Sequence, residues 1–72
     1  MEIKKGLKFN MLYSPSFTAE VSDIRKDDNE IDVIMIPSDG NAFMTTWPLD
    51  ETDNKFSRGI YKVKEKEISF GI

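Results

Sequence analysis

Three observations predict a small all-β domain of five to six short antiparallel strands. Apolar residues recur at period two, as in Leu7, Phe9 and Met11, rather than at the helical period. Turn-forming clusters break the chain into segments of strand length. Finally, Trp47, Leu49, Phe56 and Tyr61 gather around Gly59 near the end, as residues that seal a small core would.

The elements follow in order. Leu7, Phe9 and Met11 alternate with Lys8 and Asn10 in a first strand with one buried face. Tyr13-Ser14-Pro15-Ser16 is a turn. Phe17, Ala19 and Val21 form a second strand, but the next apolar residue is Ile24, one position late. An extra residue near Ser22-Asp23, a β-bulge, accounts for that slip. Asp27-Asp28-Asn29 is turn chemistry, because these side chains bond their own backbone.

Ile31 to Ile36 is the clearest strand, with Ile31, Val33 and Met35 on one face and Ile34 and Ile36 on the other. Pro37 ends it, having no N–H for the ladder. Ser38-Asp39-Gly40-Asn41 turns the chain into a fourth strand over Ala42 to Trp47. Asp50 to Lys55 suits one turn of α- or 3₁₀-helix, with its acids toward the start. Gly59 then permits a tight turn into the fifth strand, Ile60 to Val63. The tail from Lys64 carries Ile68, Phe70 and Ile72 at period two, as a sixth edge strand or a frayed end.

The bent second strand and the short helical turn before the last strand favour an SH3-like barrel. A five-stranded OB-fold would need a longer helix between its third and fourth strands. The expected core is Leu7, Phe9, Met11, Phe17, Ala19, Val21, Ile24, Ile31, Val33, Met35, Trp47, Leu49, Phe56, Tyr61 and Val63. The 72 residues make a single domain over 1–72, with 1–5 and 65–72 as tails.

Gly6-x-x-Phe9, Trp47-x-Leu49, Phe56, Gly59 and Tyr61, read with the meander between them, resemble a group of small SH3-like barrel proteins. Those proteins, of unassigned function, are encoded by bacterial phages and mobile elements. The resemblance spans most of the chain up to Tyr61 and implies a phage or bacterial cytoplasmic setting. The sequence lacks an Ala-Leu-Tyr-Asp-Tyr-like run, so recognition of proline-rich peptides is not implied.

Composition narrows the function. With no cysteine and no histidine, the chain lacks thiolate zinc ligands and the commonest general base. Its serines have no histidine to activate them, and no glycine-rich phosphate loop is present. Neither catalysis nor a cofactor is expected. The acidic turn Asp27, Asp28, Glu30 and Asp32 lacks the spacing and glycine of a calcium loop, so no metal site is expected either. No apolar run reaches the roughly 20 residues that span a membrane. No signal peptide follows the basic start, and a cytoplasmic location is expected.

Two surfaces then compete. Strand alternation leaves Ile34 and Ile36 facing outward, and with Phe43 and Phe70 they make a candidate protein contact. Lys55, Arg58, Lys62 and Lys64, interleaved with Phe56 and Tyr61, make a candidate nucleic-acid contact. The net charge of −3 disfavours the second. A non-catalytic protein-interaction module, with a protein partner or a twin subunit, is the leading expectation. A nucleic-acid-binding barrel is the alternative.

Overall fold

A computed structural model describes residues 2–64. Five strands, β1 (Lys8–Met11), β2 (Ser14–Arg25), β3 (Glu30–Pro37), β4 (Phe43–Pro48) and β5 (Tyr61–Val63), form one antiparallel sheet. A 3₁₀ turn over Lys26–Asp28 joins β2 to β3, and helix α1 (Leu49–Ser57) joins β4 to β5. The order across the sheet is β4-β3-β2-β1-β5. Among the described residues the sheet is not closed into the expected barrel: β4 and β5 are its two edges, because β5 returns beside β1 rather than beside β4.

Side-chain alternation decides the two faces. Phe9, Met11, Ala19, Val21, Ile31, Val33, Met35 and Tyr61 are buried on the inner face. Ile3, Leu7, Phe17, Ile24, Trp47, Leu49, Phe56 and Ile60 pack around them. Phe9 is the hub, with its ring 4.8 Å from Phe56, 5.2 Å from Tyr61 and 6.3 Å from Trp47. Val63, expected in the core, is 40% exposed because it ends the short edge strand β5.

The phase slip in β2 is a bulge. Val21 lies opposite Val33 and Asp23 opposite Asp32, leaving Ser22 as the extra residue. Beyond it Ile24 points inward, opposite Ile31, and Arg25 points outward, opposite Glu30.

The single expected helical turn over Asp50–Lys55 is a nine-residue helix. Leu49, Thr52 and Phe56 share its inner stripe, and the buried Thr52 hydroxyl donates to the Pro48 carbonyl at 2.9 Å. Pro48 itself supplies no side-chain cap. Asn29 does so from the β2–β3 turn: its Oδ1 accepts the Asp50 N–H at 2.9 Å, and its Nδ2 donates to Asp50 Oδ1 at 3.0 Å. Asn29 sits in the left-handed region at φ 56°, which its short polar side chain tolerates. The expected tail strand beyond Lys64, with Phe70, lies outside the described residues.

Candidate functional site

Of the residues proposed for protein contact, Ile34 and Ile36 lie on β3 and Phe43 on β4, while Phe70 lies outside the described residues. Ile34 pairs with Met44 and Met35 with Phe43. The outer-face neighbour of Ile34 is therefore Met44, whereas Phe43 lies on the inner side. Ile34 and Ile36 are half-buried rather than fully exposed. Met44, 56% exposed, extends the outer face beside Ile34, whereas Phe43, 51% exposed, stands on the inner face of the same strand. The Phe43 ring stands edge-on to Phe17 at 6.1 Å.

The ladder also fixes what the backbone of β4 offers. Leu49 N–H donates to the Asn29 carbonyl and Ser38 N–H to the Ser16 carbonyl, each at 2.9 Å. Carried along the antiparallel registers, these bonds point the polar groups of Phe43, Thr45 and Trp47 at β3. Those of Met44 and Thr46 point away from the sheet. The strand Phe43–Pro48 contains no charged residue, although 32% of the chain is charged. Among the described residues it is an edge without a charged guard.

On the inner side a cleft of about 300 Å³ opens between α1 and the sheet. Met11, Met35, Trp47 and Tyr61 contribute its apolar lining, with Glu51 and Lys55 at its rim. The Trp47 and Tyr61 rings lie 5.5 Å apart at 30°, and Lys55 Nζ stands 5.6 Å from the Tyr61 centroid. Trp47 is half-buried, so it serves the core and the cleft together.

The acids of the β2–β3 region turn toward Arg25 on the outer face. Its guanidinium donates to both oxygens of Asp32 at 2.7 Å, to Glu30 at 3.1 Å and to Asp23 at 3.3 Å. Thr46 Oγ1 donates to Asp32 at 2.8 Å, tying β4 into the cluster. The Arg25 hydrogen bonds, aided by Thr46, hold the Asp32 carboxyl at about 2, well below the usual range. Hydrogen bonds to Asp32 and Glu30 raise the Arg25 value. Among the described residues no group of three or more His, Cys, Asp or Glu side chains is placed to share an ion.

The candidate nucleic-acid residues do not form one surface. Lys62 lies opposite Asn10 on the outer face, and Lys64 follows opposite Lys8. Lys55 stands at the cleft, and Arg58 caps the end of α1. Tyr61 and Phe56 pack inward, so the rings and the strand lysines occupy opposite faces. Bases stacked on those rings would leave their phosphates far from Lys62 and Lys64.

Two contributors escaped the sequence reading. Met44 falls by alternation on the face of β4 opposite Trp47 but was not singled out as a contact, and the Asn29 cap joins residues far apart in sequence. No described helix is long and apolar enough to cross a membrane. Comparison with protein-family models, with curated proteins and with solved structures finds no match.

Proposed function

We propose that this chain is a non-catalytic protein-interaction module that meets its partner along β4. The observation that carries the reading is the uncharged free edge, flanked by exposed Phe43 and Met44 and half-buried Ile34 and Ile36. Exposed apolar side chains beside free backbone donors and acceptors suit an added strand. An SH3-like framework fits the five strands, the bulged β2 and the helical connection before β5. A partner on β4 would cover one of the edges that the open sheet leaves free.

A photoreactive residue at position 43 tests the reading in the producing cell. It is expected to give a discrete protein adduct, of any identity, that Ile34→Lys and Ile36→Lys weaken. The same probe at position 62 on β5 is expected to give none. Equal labelling at both positions, or no protein adduct at position 43, would overturn the assignment.

A further inference from the structure

Resting on that reading, we propose that the partner on β4 is a second copy of this chain, joined about a two-fold axis through Thr45. The direction of the free backbone groups carries the inference. Met44 and Thr46 present their N–H and C=O groups outward, on either side of Thr45. A two-fold axis at Thr45 sets Met44 of each copy against Thr46 of the other. Each of these N–H groups then finds a carbonyl across the axis, and no free donor of β4 is left over.

The side chains agree with this register. Phe43 of one copy meets Trp47 of the other on the inner face, and Met44 meets Thr46 on the outer face. Pro48, which lacks an N–H and whose carbonyl already accepts from Thr52, ends the pairing where α1 begins. The joined sheets would run continuously from one β5 edge to the other, an isologous contact that closes after two copies.

Charge selects this edge over the other. The chain carries −3 overall, so most self-contacts bring like charges together. Strand β4 itself brings none, and Asp32, the carboxylate bonded to Thr46, is held in a two-point pair with Arg25. A β5-to-β5 contact would instead bring Lys62 and Lys64 toward their copies. A single short strand pair buries little area, so the dimer belongs to the weak, concentration-dependent class.

Sedimentation equilibrium of the full chain over a wide concentration range, with amide exchange read at Met44 and Thr46, tests the proposal. The expected result is a monomer–dimer equilibrium in which these amides become protected as dimer forms. Met44→Lys, which gives β4 the kind of guard that β5 has, is expected to abolish the dimer while circular dichroism stays unchanged. Thr45→Cys is expected to form a disulfide-linked dimer on mild oxidation, because facing Thr45 Cα atoms would lie about 4.5 Å apart. The chain has no cysteine of its own to confuse the result.

A chain that stays monomeric at every concentration overturns the proposal. So does a dimer that persists in Met44→Lys while the Met44 and Thr46 amides exchange freely. Protection of both amides in the monomer would mean that the chain covers its own edge, and also overturns it. If position 43 cross-links only to other proteins and the chain is monomeric, self-pairing falls while the protein-contact reading stands.

Discussion

β4 and β5 end the same sheet, yet their exposed edges carry opposite chemistry. β5 is three residues long and carries Lys62, with Lys64 just beyond, so a strand approaching it meets ammonium groups. β4 is six residues long, has no charge, and shows Phe43 and Met44 to solvent. Its bonded neighbour Asp32 is paired with Arg25. Among the described residues, charged side chains thus guard one edge and not the other. The proposed contact along β4 rests on this contrast.

The largest perturbation should remove this contrast altogether. The Phe9 ring is fully buried and reaches Trp47 at the end of β4 and Tyr61 at the start of β5. Phe9→Ala should cost about 3–5 kcal/mol, a large part of what a domain this small can hold. Urea denaturation should show both edges lost together. A cooperative fold weakened by less than about 1 kcal/mol would show that the rings are not the shared support.

Asn29 offers a smaller change confined to the β4 side, where it anchors the passage from β4 into α1. Asn29→Ala should lose about 1 kcal/mol for the cap and about another 1 kcal/mol for the left-handed backbone. Asn29→Gly should recover the second part. Exchange at the Asp50 amide should quicken in both variants while that of Lys62 holds. Equal stabilities for the two variants would contradict this division of the cost.

The smallest effect is a pH dependence. Asp32 titrates at about 2 in the folded chain, against about 3.9 when unfolded. Between these values the unfolded chain binds more protons, so the tie from Asp32 to Arg25 and Thr46 is fully present above about 4. It is lost as pH falls toward 2. Acid should therefore loosen Thr46 on β4 more than Lys62 on β5, and Asp32→Asn should lack that part of the acid dependence. Identical acid profiles for the wild type and Asp32→Asn would remove Asp32 as the cause.

Local chemistry made much of this architecture legible in the sequence. Ile24 arrives one residue late and so locates the bulge, Pro37 closes β3, and Asp39-Gly40 reverses the chain. The length of α1 was not legible, because its inner stripe uses Thr52, a polar residue that joins the core by bonding the Pro48 carbonyl. The missing closure depends on where β5 lands relative to β4, which no short segment encodes. Of the candidate contact, alternation sets Ile34 and Ile36 outward; on β4 it groups Phe43 with Trp47 on the inner face and Met44 with Thr46 on the outer one, so Met44 and not Phe43 lies beside Ile34. The basic set fails as one surface for a reason already in the pattern: Tyr61 and Lys62 are consecutive in a strand and must point apart.

The extra residue at Ser22 works like a shift of reading frame along β2. Before it, inward positions are odd-numbered, as in Ala19 and Val21; after it they are even-numbered, beginning with Ile24. In a strand of unbroken phase Arg25 would point into the core and Ile24 into solvent. One inserted position thus lets one strand supply core residues along its upper half and the outward Arg25 that binds Asp32 in its lower half. The pairing of Asp32, the carboxylate bonded to Thr46 of β4, is set by where that frame changes in β2.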